Sequence, residues 1–243
     1  MANSYFKFKQ FKIHQDKCAM KVTTDACLFG ALVAEVKLKK TTCLDIGTGT
    51  GLLSLMLAQK NKTSKIDALE IDTAAATQAR ENILASPWAD RITVFNEDAL
   101  KFPVGPQAAA GKQYDCIISN PPFFEDDLQS PDKAKNKAKH NSSLTLAQLL
   151  RIVDRQLAAE GFFAVLLPYH RVGYFVEEAL KQGLFLTRQI LVKQTLKHKF
   201  FRGILCFKRI EKKLNSKELI IKDLEHNYTP EFSEALKDYY LFL

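Results

Sequence analysis

The chain of 243 residues contains no run of about 18 apolar residues, so no segment reads as a membrane-spanning helix. Its opening, Met1-Ala-Asn-Ser-Tyr-Phe-Lys-Phe-Lys9, interleaves aromatics with lysine and lacks the apolar stretch of a secretion signal. A cytoplasmic protein is therefore expected. No Cys-x-x-Cys pair occurs among Cys18, Cys27, Cys43, Cys116 and Cys206, which argues against both a disulfide framework and a zinc site. His14, His140, His170, His198 and His226 are equally scattered, and no metal is expected. There is no internal repeat and no low-complexity linker, so the length fits one globular unit with a full core.

What the chain has in excess is lysine. The formal net charge is +8, and it is unevenly spread. Residues 1–40 carry eight lysines against three acids, and residues 193–213 carry six lysines and two arginines against Glu211 alone. Between these blocks, Lys133, Lys135, Lys137 and Lys139 alternate along a polar stretch ending in His140. Clustered cations suit a phosphate backbone, because each contact releases condensed counterions. Solubilising surface lysines would give a similar count, but three blocks flanking one candidate site favour nucleic acid.

Residues 5–22 alternate well enough for a β-hairpin, with a break near Gln10. Thr23-Thr24-Asp25 offers caps for an apolar helix over 26–36. From Thr42 onward, short apolar strands alternate with helices. Strands are predicted at 42–46, 65–71, 92–95, 114–119 and 162–167, and helices at 52–59, 73–84, 144–159 and 172–181. The 144–159 helix opens with the capping box Thr145-x-x-Gln148 and reads as closed by Gly161. This alternation predicts a parallel sheet covered on both faces. Segments 185–192 and 200–208 predict an antiparallel pair at the sheet's end. Residues 218–222 form a further strand candidate, and Thr229-Pro230 opens a last helix. The expected division is an extension over 1–40 packed on a core over 41–243.

Asp45-Ile-Gly-Thr-Gly-Thr-Gly51 follows the first parallel strand and opens a helix. Gly47, Gly49 and Gly51 permit positive φ and close approach of a ligand to the backbone around Thr48. An acid just ahead of the loop suits a cationic ligand better than a diphosphate, which Asp45 would repel. Glu70, with Ile71 beside it, ends the second strand, where an acid accepts hydrogen bonds from ribose hydroxyls. Asp98, followed by Ala99, comes after the third strand and can reach an adenine amino group. Ribose, adenine and a positive tail together describe S-adenosylmethionine. A tight structural turn is the alternative for the glycines alone, but it leaves Glu70 and Asp98 unexplained. On these residues, roughly 40–210 resemble the class I S-adenosylmethionine-dependent methyltransferases. That resemblance implies a Rossmann-like α/β fold, a seven-stranded sheet ending in an antiparallel hairpin.

The fourth strand ends in Ser119-Asn120-Pro121-Pro122-Phe123-Phe124. Each proline removes an N–H, so the turn's carbonyls point outward without local donors competing for them. The Asn120 oxygen and the Pro121 carbonyl can then both accept from a planar –NH2 group, while Phe123 offers a stacking face. An exocyclic amine is a poor nucleophile because its lone pair is delocalised into the ring. Two acceptors that draw both N–H groups out of plane favour a tetrahedral nitrogen and free that lone pair. The sulfonium methyl is already electrophilic, so alignment and electrostatics carry the transfer without a charged base. Asn-Pro-Pro-aromatic at this strand end resembles the amino-methyltransferase motif, whose bearers modify adenine N6, cytosine N4, guanine N2 or glutamine N5.

Phe6-Lys-Phe-Lys-Gln-Phe-Lys-Ile-His14, Met20 to Ala31, Lys137-Ala-Lys-His140, Tyr228-Thr-Pro-Glu-Phe232 and Leu236 to Leu241 narrow the resemblance. Over essentially the whole chain they look similar to the bacterial tRNA1(Val) adenine-37 N6-methyltransferases. That family often shows Gly where this chain has Thr24, and Arg near Lys133 and Lys139. The resemblance implies tRNA as partner, bound at the anticodon arm; a monomer is expected. Candidate substrate contacts are Lys133, Lys135, Lys137, Lys139 and His140 in the polar stretch, with Lys197, Lys199 and Arg202 in the basic connection. Two other readings stay open: a methyltransferase for another RNA amine, such as ribosomal guanine N2 or adenine N6, and a non-catalytic S-adenosylmethionine- and RNA-binding protein.

Overall fold

The computed structural model describes residues 3–36, 41–103, 113–122 and 144–243. Phe123, Phe124 and the polar stretch with Lys133, Lys135, Lys137, Lys139 and His140 lie outside the described residues.

Ten strands and six helices of more than one turn occur among the described residues. A small antiparallel ribbon pairs β1 (Tyr5–Lys7) with β2 (Lys12–His14). Helix α1 (Thr24–Ala34) follows, capped by the Thr23 hydroxyl, which accepts from the Ala26 amide. The main sheet then forms from β3 (Thr42–Ile46), β4 (Lys65–Leu69), β5 (Ile92–Phe95), β6 (Tyr114–Ser119), β7 (Leu157–Pro168), β8 (Phe185–Lys193), β9 (Phe200–Lys208) and β10 (Asn215–Ile220). Helices α2 (Leu52–Lys60), α3 (Thr73–Leu84), α4 (Leu146–Gln156), α5 (Val172–Lys181) and α6 (Pro230–Leu236) complete the described chain. No described helix is long and apolar enough to cross a membrane.

Strand order across the sheet is β10-β8-β9-β7-β6-β3-β4-β5. Only β9 runs against its neighbours, pairing antiparallel with both β7 and β8. The two faces follow directly from residue alternation. Cys116, Ile118, Phe162, Ala164 and Leu166 join the core under α1 and α2, whereas Ile117, Phe163, Val165 and Leu167 join the core under α4 and α5. A central strand is thus apolar at every position because each side buries its own set.

Two expectations change. The helix predicted to run to Ala159 ends at Gln156, and Leu157 is already extended and opposite Tyr114. Gly161 is not a helix cap. It lies within β7, where the register jumps between the Tyr114 and Cys116 pairings, and a Cβ there would come within 3.0 Å of the Ala158 and Asp115 carbonyl oxygens. The second change is at the edge. The strand expected at 218–222 spans Asn215–Ile220 and pairs parallel with β8, adding an eighth strand beyond the seven. Four of its residues are exposed, so its apolar signal is confined to the last positions.

Candidate functional site

Strands β6, β3, β4 and β5 are successive neighbours and parallel, so their carboxyl ends form one edge. The chain reverses its winding between β3 and β6, which is where open parallel sheets bind ligands. Asn120 follows β6, the Asp45–Gly51 loop follows β3, Glu70 and Ile71 follow β4, and Asn96 to Ala99 follow β5. The candidate cofactor residues and Asn120 therefore lie along one edge of the sheet, with Ser119 registered opposite Ile46.

The loop after β3 is held from several sides. The amides of Gly47 and Thr48 donate to the Leu69 carbonyl, each at 2.9 Å. Gly47, Gly49 and Gly51 have φ of 72°, 55° and 83°, a left-handed conformation costly for residues with a Cβ. A Cβ on Gly47 or Gly49 would meet nothing within 4 Å, so these positions leave an open cradle, whereas Gly51 packs against Ile83. Asn82, buried on α3, braces the loop through its Nδ2 donation to the Thr50 carbonyl at 2.9 Å. The same amide exchanges bonds with the His14 backbone, and Gln78 one turn earlier accepts from the Lys17 amide. The N-terminal segment is thereby pinned beside the glycine loop. Cys18 lies close enough to Glu70 and Asp72 that their charges add to burial in pushing its thiol up to about 11.

Asp45 is fully buried. Its Oδ2 accepts from Thr48 Oγ1 at 2.6 Å and Ser54 Oγ at 2.7 Å. Its Oδ1 is buried with no partner. Burial pushes the carboxyl up to about 6 against the pull of the two hydroxyls. A carboxylate fixed on one side and bare on the other is a ready acceptor for a cation. Glu70 accepts from the Gly49 amide through Oε2 at 2.9 Å and from the Asp72 amide through Oε1 at 3.0 Å. Each oxygen keeps a lone pair for a ligand hydroxyl. Next to it Ile71 is 53% exposed, an apolar surface facing solvent at the crevice rim. Asp98 accepts from the Leu100 amide through Oδ1 at 2.9 Å, and Ala99 packs on the core beneath. A bare buried acceptor, an open glycine cradle and a half-engaged Glu70 fit S-adenosylmethionine.

Asn120 supplies the second bare acceptor. Its Oδ1 is buried without a hydrogen-bond partner, and buried polar atoms rarely remain so without a reason. Pro121 is buried and Pro122 half-buried, while Ser119 anchors the turn by donating to the Ile46 carbonyl at 2.9 Å. Of the cationic candidates in the described residues, Lys197 and Lys199 are exposed on the β8–β9 connection. Arg202 donates through Nε to Asp25 at 2.6 Å, tying β9 to the start of α1. No three described His, Cys, Asp or Glu side chains converge as a metal-ligand set.

Sequence reasoning missed Ser54, Gln78 and Asn82. Ser54 is the one hydroxyl in Leu52-Leu-Ser-Leu-Met-Leu57, and a polar residue amid such a run needs an inward partner. Gln78 and Asn82 stand four apart on α3, a spacing that puts both on one face.

The sheet order and this edge agree with comparisons to known proteins. Residues 25–157 match the family model "Methyltransferase small domain". A tRNA1(Val) (adenine(37)-N6)-methyltransferase of Dyadobacter fermentans is 44% identical, with 98% of each chain covered. The enzyme of that name from Bacteroides thetaiotaomicron is 41% identical over 100% of both chains. Among solved structures, a predicted O-methyltransferase of Agrobacterium tumefaciens superposes with TM-score 0.64 at 17% identity, covering 88% of this chain and 96% of that one. A ribosomal protein L11 methylase of Lactobacillus delbrueckii gives 0.54 at 16%, covering 81% and 83%. At such identities these two speak to the fold alone. By its matched model and its whole-length relatives, this chain belongs to the methyltransferase small-domain family and, within it, to the tRNA1(Val) (adenine(37)-N6)-methyltransferases.

Proposed function

We infer that the chain methylates the exocyclic N6 of adenine 37 in the anticodon loop of tRNA1(Val), with S-adenosylmethionine as donor. The observation that carries the amine chemistry is the bare, buried Oδ1 of Asn120 on the strand next to the bare Oδ1 of Asp45. The substrate reading rests on the whole-length similarity to relatives of that name.

When bound, the cofactor supplies an electrophilic methyl on a sulfonium. Asp45 and the cradle at Gly47, Thr48, Gly49 and Gly51 would hold its cationic part, Glu70 its ribose, and Ile71, Asp98 and Ala99 its adenine. Asn120 Oδ1 accepts one N–H of the target amine and the Pro121 carbonyl accepts the other. Together they draw the nitrogen out of conjugation and aim its lone pair at the methyl. No described group must take a proton before transfer: the S–CH3 bond would break as the N–CH3 bond forms, leaving a neutral thioether, and the methylated nitrogen would then release one proton to solvent. Phe123, outside the described residues, is assigned the stacking face.

The anticodon loop is already single-stranded, so presenting its base costs less than extruding one from a duplex. Lys197 and Lys199 are assigned to its phosphates, as are Arg202 and the stretch from Lys133 to His140. Both halves of the site come from one sheet edge, so a single chain suffices and no metal is needed. Work on tRNA implies a cytoplasmic setting.

The test is to incubate the protein with bulk tRNA and labelled cofactor, digest to nucleosides and identify the label. N6-methyladenosine from tRNA1(Val) is the expected product. N2-methylguanosine would move the activity to another RNA amine, and no transfer would leave a binding protein.

A further inference from the structure

Beyond Asn120, the catalytic edge continues across β7, β9 and β8. Strand β7 is parallel to β6 and runs three residues past the Ser119–Val165 pairing to Pro168. Tyr169 follows at the start of a one-turn 3-10 helix and is 42% exposed. Its ring leans on Phe200 of β9, with centroids 5.2 Å apart and planes tilted by 43°. Phe200 is itself fixed, because the Lys193 ammonium lies 4.2 Å from its ring centroid and also reaches Glu218 at 3.1 Å. The connection above them is pinned by a 2.7 Å bond between Thr195 Oγ1 and His198 Nδ1.

An aromatic ring left nearly half exposed gains nothing for the core. Here it is braced by Phe200, which directly follows the exposed Lys197 and Lys199 in the chain, and carried on the edge that holds Asn120. With strands about 5 Å apart and about 3.3 Å of rise per residue, Tyr169 stands roughly 10 Å from Asn120. That is the reach of a neighbouring nucleotide in an unstacked loop.

We propose that Tyr169 is a stacking platform for an unpaired RNA base flanking the target adenine, with Phe200 as its buttress. Stacking on an aromatic is tolerant of base identity, so the platform positions the strand rather than reading it. Lys197 and Lys199, exposed on the connection that leads into Phe200, suit the adjoining phosphates. This assignment rests on the RNA reading above and adds a residue that charge patterning does not reveal.

The test compares wild type, Tyr169→Phe and Tyr169→Leu on tRNA1(Val) and on versions with an abasic site at each neighbour of the target. Tyr169→Leu should weaken binding about 5- to 100-fold, and Tyr169→Phe by less than about twofold. On one abasic RNA the Leu variant should lose nothing further, because its partner base is already gone. Unchanged cofactor binding by both variants checks the fold. The proposal is overturned if Tyr169→Leu binds like wild type, or if its loss is the same on every RNA. A wild-type protein that ignores tRNA would sink the functional reading itself, and the platform with it.

Discussion

The two halves of the sheet edge that carries Asn120 are built on opposite principles. On the side of β3, β4 and β5, each polar side chain is held by fixed partners that leave it ligand capacity or brace the loop: Asp45 by Thr48 and Ser54 on one oxygen, Glu70 by two amides, Asn82 by the loop and the N-terminal segment. On the side of β7, β9 and β8, the edge is exposed, with Lys197, His198 and Lys199 turned to water. A small cofactor offers few atoms, so its site must be organised in advance around each of them. A nucleic acid offers repeated charge and flat bases, so on the proposed reading exposed cations and a ring suffice there. Asn120 lies between the two halves, half-buried, with a buried Oδ1 as bare as that of Asp45.

Replacing Asn120 tests that boundary most severely. Asn120→Ala should lower transfer about 100- to 1,000-fold, the usual cost of removing one electrostatic contact made to the reacting group. Cofactor affinity, measured by calorimetry, should stay within about twofold, because the Asp45 loop is untouched. If transfer survived near its normal rate, the two-acceptor account of amine activation would be wrong.

Asp45 offers a pH test of the committed half. Its folded carboxyl sits near pH 6, against an ordinary value of 3.8, because burial disfavours the charge. An acid raised in this way weakens the fold when ionised, and that cost disappears once it is protonated. A cation at Oδ1 does the reverse and favours ionisation. Cofactor affinity should therefore be full above about pH 6 and fall as pH drops through it, by up to about tenfold per unit. Asp45→Asn should bind weakly with a flat profile. A wild-type profile flat from pH 5 to 7 would remove Asp45 from the cation's surroundings.

Much of the committed half was legible in the sequence because its signals are local. Glycines with left-handed φ, a strand-terminal acid and a double proline each declare themselves within a few residues. The strands carrying them were found nearly to their ends, since buried parallel strands are short apolar runs. What escaped is non-local. Ser54, Gln78 and Asn82 matter through partners 9, 61 and 68 residues away. Strand β10 escaped in part because an exposed edge strand has little apolar pattern, and Gly161 resembles a helix cap in sequence because its close approach to the Asp115 carbonyl, which leaves no room for a Cβ, is a non-local contact. Tyr169 carries no signal of its own, as its exposure is known only once β9 brings Phe200 behind it.

The exposed half should yield the smallest effects and the most diagnostic ones. Lys197 and Lys199 are exposed, so replacing both with Gln should leave cofactor affinity and turnover at saturating tRNA unchanged. Binding of tRNA should weaken only a few-fold near physiological salt. The sharper readout is the salt dependence: each lost phosphate contact on a single strand lowers the slope of log affinity against log salt by about 0.7, so the pair should lower it by about 1.4. Such a change would be absent if the two lysines only keep the protein soluble. It would also differ from the effect of Tyr169→Leu, since stacking releases no counterions and should shift affinity at every salt concentration alike. Parallel salt lines for wild type and the Lys197/Lys199 variant would take these two lysines out of the RNA interface and leave the ring to stand alone.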